Sequence, residues 1–105
     1  MIKVSEILSL ITDVAPLHWQ ESYDNSGLLL GDPNALVDKV LLTLDVTEKV
    51  IDEAIENSFH LIISHHPLIF SGLKQICEQS YVERCVAKAI KNNIAIYAAH
   101  TCWDN

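Results

Sequence analysis

The stretch Ile62-Ile63-Ser64-His65-His66-Pro67 ends an apolar run in two adjacent histidines backed by a proline. Two imidazoles side by side are costly to order unless something shares them, and a metal ion is the commonest thing that does. In an extended backbone adjacent side chains point to opposite sides, so His65 and His66 are expected to reach two neighbouring ions rather than chelate one. Pro67 biases His66 towards an extended conformation and holds that divergence. A second group, His100-Thr101-Cys102-Trp103-Asp104, places an imidazole and a carboxylate four residues apart, on one face if the chain turns helically there. A carboxylate can bridge two cations and offset their charge. Imidazole with carboxylate suits Zn, Mn, Fe or Co without distinguishing among them. Two such ions about 3.5–4 Å apart would activate water and stabilise negative charge developing on a substrate oxygen.

Other polar residues weigh less. His-His-Pro at a strand end, taken alone, is more often a hydrogen-bonded surface pair. Asp45 suits capping or turn formation before Thr47, and its functional option is a bond to a histidine behind the metals. Asp24-Asn25-Ser26-Gly27 reads as a turn, and His18 and His60 as structural residues. Trp103 reads as a packing residue. The three cysteines, Cys77, Cys85 and Cys102, show no CxxC spacing and read as core thiols.

The elements that must position these groups alternate. A helix is expected from a Ser5 N-cap, with Ile7, Leu8, Ile11 and Val14 on one face and Pro16 ending the pattern. Leu28-Leu29-Leu30 is a short strand stopped by Gly31-Asp32-Pro33-Asn34. Val40 to Leu44 is nearly continuously apolar, as expected for a strand covered on both faces. A helix follows from a Thr47 cap to about Asn57, then a strand at Leu61-Ile62-Ile63. A helix from about Tyr81 to Asn92 leads to a last strand over Ile94 to Ala99. This order predicts an α/β fold, a largely parallel sheet with crossover helices, as a single domain over 1–105. Asp45, the His65-His66 pair and the His100-to-Asp104 group each follow a strand and therefore share one rim, where ligands of such sheets gather.

Composition narrows the rest. The chain has 105 residues, 50% of them apolar, and a formal charge of −7, so a packed core is expected and duplex nucleic acid is not. The start lacks a signal-peptide pattern, and no apolar run approaches the roughly 20 residues of a membrane span, so a cytoplasmic protein is expected.

Four motifs in order complete the reading: Glu21 to Gly31 (ESYDNSGLLLG), Leu44 to Thr47 (LDVT), Ser64 to Phe70 (SHHPLIF) and Tyr97 to Asp104 (YAAHTCWD). Together they resemble the Ngg-interacting-factor-three-like family, also called GTP cyclohydrolase 1 type 2, over nearly the whole chain. The resemblance implies two divalent metal ions per full-length subunit and a ring-shaped homohexamer. It implies His65, His66 and Asp104 as metal ligands and His100 as a catalytic residue. The implied activity is opening of the GTP guanine ring with release of formate. The alternative is a non-catalytic metal-binding module that presents surfaces to protein partners. Family members run longer and supply a further His-x-x-x-Glu pair near their carboxyl end, which has no counterpart after Asp104. The chain is therefore expected to be the N-terminal half of a larger dinuclear-metal α/β fold, with weak metal binding and little activity alone. Cys102-Trp103 departs from the smaller polar and aliphatic residues common at those positions, which bears on local packing.

Overall fold

A computed structural model describes residues 1–14, 26–69, 73 and 75–99. Six strands and three helices follow one another: β1 (Ile2–Lys3), α1 (Val4–Val14), β2 (Gly27–Leu30), β3 (Leu36–Val37), β4 (Leu41–Thr43), α2 (Glu48–Glu56), β5 (Leu61–Ser64), α3 (Tyr81–Lys91) and β6 (Ala95–Ala98). Four of the strands form one sheet in the order β2-β6-β5-β4, and β1 pairs with β3 in a two-stranded ribbon. Strands β4, β5 and β6 are parallel, whereas β2 runs antiparallel on the far edge. The expected largely parallel α/β sheet is therefore present.

Alternation along the central strands divides the core. Ile62, Ile94 and Ile96 face α2 and α3, where they pack with Ile51, Ala54, Cys85 and Ala89. Leu61, Ala95, Tyr97 and Ala99 face the other way, towards Val4 and Leu8 of α1. Side chains on both faces of β5 and β6 are thus enclosed, which their near-continuous apolar sequence demands. At the end of β2, Gly31 takes φ +110°, and a Cβ there would lie 2.5 Å from the Cβ of Ala95. The close approach of β2 to β6 requires glycine.

Several expectations need correction. The strand after Val40 is not covered on both faces: β4 is an edge strand, it ends at Thr43, and Leu42 and Leu44 are 73% and 61% exposed. Its apolar sequence reads like that of β5, but β5 has a strand on each side and β4 has only one. Ser5 does not cap α1, which begins at Val4. Its first amides are satisfied by backbone instead, Val4 N–H donating to Ala35 O at 2.9 Å and Ser5 N–H to Pro33 O at 2.8 Å. Val14, placed on the apolar face of α1, is exposed. By contrast Thr47 caps α2 as expected, accepting from the Val50 amide, and Ser80 caps α3 by accepting from that of Glu83. The ribbon of β1 and β3 was not legible because two-residue strands carry no periodicity. No helix among the described residues is long and apolar enough to cross a membrane.

Candidate metal site at the strand ends

The rim begins where the parallel ladder outlasts its strands. His65 N–H donates to Thr43 O at 3.2 Å and His66 N–H to Leu44 O at 3.0 Å, while Ala99 N–H donates to Ser64 O at 3.0 Å. The backbone of both histidines is thus fixed by its neighbours before any side chain acts. Two hydroxyls then clamp the turns. Thr43 and Ser64 are partners in the register of β4 and β5, and each bonds the carbonyl two residues downstream. Thr43 donates to Asp45 O at 2.9 Å and the buried Ser64 to His66 O at 2.8 Å.

These clamps aim the imidazoles. His65 Nδ1 lies 3.0 Å from the carbonyl oxygen of Ala99, which can only accept, so Nδ1 carries the proton. His66 Nδ1 lies 2.6 Å from Asp45 Oδ1. A carboxylate also accepts, and the same tautomer follows. In its neutral form each ring then carries its lone pair on Nε2. This is how metal-ligating histidines are held, one ring nitrogen on a carbonyl or carboxylate and the other presented to the ion. On this count the pair fits a divalent metal.

Asp45 lies in the turn before α2 as expected, but Thr47 supplies the cap, and the Asp45 carboxylate bonds His66 instead. The two histidines do not diverge as strand alternation predicts. Strand β5 ends at Ser64, and beyond it their ring centroids are 5.0 Å apart with planes inclined at 50°. They nevertheless open on different clefts. His65 lines a cavity of about 330 Å³ with Ile11, Leu42 and Ile63. His66 lines one of about 200 Å³ with Asp45, Thr47 and Tyr81.

His100, Asp104 and Trp103 lie outside the described residues, as do His18, Cys102, Asp24 and Asn25. Among the described residues no three His, Cys, Asp or Glu side chains gather around a common point. His60 is peripheral and exposed, its Nδ1 donating to Asn93 O at 3.1 Å. Cys85 is a core thiol as expected, but Cys77 is exposed. Thr43 and Ser64 are the positioning residues that sequence reasoning missed. Their signal was a hydroxyl two residues before a polar group at two successive strand ends.

The fold and the rim together define an α/β protein with candidate ligands at the carboxyl ends of parallel strands. Comparison with known proteins narrows the class. Residues 2–105 match the family described as Duf34/NIF3 (NGG1p interacting factor 3), and the chain belongs to that family. A relative in Clostridium perfringens named "GTP cyclohydrolase 1 type 2 homolog" is 42% identical over 99% of this chain and 40% of its own length. "NIF3-like protein 1" of Drosophila melanogaster is 42% identical over 97% of this chain and 35% of its own. The crystal structure of a Bacillus cereus protein related to NIF3 superposes with a TM-score of 0.89 at 47% identity, covering 95% of this chain and 28% of that one. The chain thus spans about two-fifths or less of the relatives it matches.

Proposed function

We propose that this chain carries part of a dinuclear metal centre acting hydrolytically on a nucleotide, by opening of the GTP guanine ring; the name "GTP cyclohydrolase 1 type 2 homolog" carried by a relative supports the reading. His65 and His66 would hold the ions through Nε2, Asp104 would be the third ligand and His100 a catalytic group. Two divalent ions there, Zn, Mn, Fe or Co, would supply an activated water and charge stabilisation. The chain's own residues do the positioning. Ala99 O and Asp45 hold the imidazole protons on Nδ1, and Ser64 and Thr43 hold the turns that carry the rings and that carboxylate. The observation that carries this reading is the double anchoring of Nδ1, since two adjacent surface histidines without a shared task have no need of two fixed tautomers.

Metal loading tests it first. Cobalt(II) titrated into the 105-residue chain should give a ligand-field spectrum that His65→Ala and His66→Ala each abolish. Binding unchanged by both substitutions would overturn the assignment. Affinity should be weak, because His65, His66, Asp104 and at most His100 are three or four candidate ligands for two ions, which leaves the centre half-built. The activity is tested on a protein of the relatives' full length bearing these residues, loaded in turn with Zn, Mn, Fe and Co and incubated with GTP. Formate and a fluorescent pterin are expected, and the absence of both with all four metals would overturn the cyclohydrolase reading. A homohexameric ring is part of the same proposal, checked by the mass of that protein in solution.

A further inference from the structure

The backbone and hydroxyl groups lining the cleft beside His65 are already engaged. The Thr43 and Ser64 hydroxyls donate to Asp45 O and His66 O, the amides of His65 and Ala99 donate to Thr43 O and Ser64 O, and His65 Nδ1 donates to Ala99 O. Beyond these groups and the His65 ring the described lining is apolar, chiefly Ile11, Leu42 and Ile63. Among the described residues no Lys or Arg lines this cleft or the one beside His66. Arg84 and Lys88 are engaged by Glu48 and Asp52, and Lys39 donates to Asn57 O and lies over Phe59. A phosphate entering the cleft would lose its hydration and find no cationic side chain among the described lining residues, whereas the faces of an uncharged ring can rest on apolar side chains with its polar edge kept towards water. At about 330 Å³ the cleft is at the small end of ligand pockets, enough for one ring system rather than a whole nucleotide.

We propose that the cleft beside His65 seats the flat, uncharged base of a nucleotide against Leu42 and Ile63, and that the residues lining it make no contact with the phosphates. The assignment rests on the reading of the substrate as a nucleotide. It adds that this segment recognises the base, and that the phosphates are held from elsewhere.

Methyl NMR of the metal-free 105-residue chain, with Ile and Leu methyls labelled, tests it without activity. Guanosine and GTP should shift the methyls of Ile11, Leu42 and Ile63 with affinities within about threefold of each other, and inorganic triphosphate should leave them unmoved. Leu42→Asp, at a position 73% exposed and so free of folding cost, should weaken both ligands about tenfold or more, while Leu44→Asp outside the lining should not. GTP binding about tenfold tighter than guanosine, triphosphate shifting the same methyls, or no shift with any ligand would each overturn the proposal. Shifts that follow protein concentration alone would also overturn it, assigning the cleft to self-association. Repeating the titration with cobalt(II) separates the two readings. Guanosine in the cleft without metal at the histidines would leave the base site standing and sink the metal centre. Metal at the histidines with an indifferent cleft would do the reverse.

Discussion

The two faces of the sheet are finished to different standards. On one, α2 and α3 close over β5 and β6, and Ile51, Ala54, Cys85 and Ala89 are wholly inaccessible. On the other, α1 covers the central strands but leaves Leu42 of β4 exposed beside the cleft at His65. The closed face is also ion-paired, with Arg84 2.6 Å from Glu48 and Lys88 3.0 Å from Asp52. These pairs are largely solvated and add little beside the burial beneath them. The chemistry lies at the edge of the unfinished face, where the polar groups are held by backbone bonds and hydroxyls rather than by packing. Rigidity thus comes from the closed side and access from the open one.

The largest test of that contrast is a pair of truncations. Ile51→Ala, on the closed face, should cost about 2–5 kcal/mol in urea unfolding. Leu42→Ala should change stability by no more than about 0.5 kcal/mol. Similar losses at both positions would erase the distinction between the faces.

Thiol labelling sharpens it next. Burial pushes the Cys85 thiol up to about 11, above its ordinary value of 9.0. With roughly 100-fold less thiolate than an ordinary thiol near neutral pH, and shielded besides, Cys85 should resist iodoacetamide while the exposed Cys77 is alkylated. Peptide mass spectrometry distinguishes the two sites. Equal labelling in the folded chain would mean that the α2–α3 face opens readily.

At the rim, Asp45→Asn should lower cobalt(II) affinity about 10- to 100-fold by weakening the orientation of His66. The urea midpoint should hardly move, because Asp45 is exposed. Unfolding that tracked the loss of metal would mean that the rim is part of the packed core.

The smallest effect is acid sensitivity. The hydrogen bond from Arg84 holds the Glu48 carboxyl below its ordinary value of 4.5, and the Cys77 amide does the same for Glu83. A depressed folded value means that the stabilisation is present above 4.5 and is lost as pH falls through the lowered value. Thermal midpoints should therefore drop on acidification below 4.5, with a shallower slope in Glu48→Gln. Identical slopes in the two proteins would remove Glu48 from the account.

Much of this was legible before any coordinates. Local periodicity carried α2, α3, β5 and β6, because 3.6-residue and two-residue patterns are properties of a short stretch of chain. The order of strands and helices carried the parallel sheet, and with it the rim that gathers Asp45, His65 and His66. Hydrophobicity could not say that β4 lies at an edge, since Val40 to Leu44 is as apolar as a central strand. Nor could strand alternation give the 5.0 Å between the two rings, because β5 stops one residue before them.

What the amino-acid sequence determined by itself was the set of elements and the chemistry gathered at one end of them. Tertiary structure decided which acceptor holds each Nδ1, which strand stays at the edge and which face remains open. Those outcomes depend on hydrogen bonds and burial between residues 21 and 34 positions apart, as with Asp45 and His66 or His65 and Ala99, and no local pattern encodes such distances.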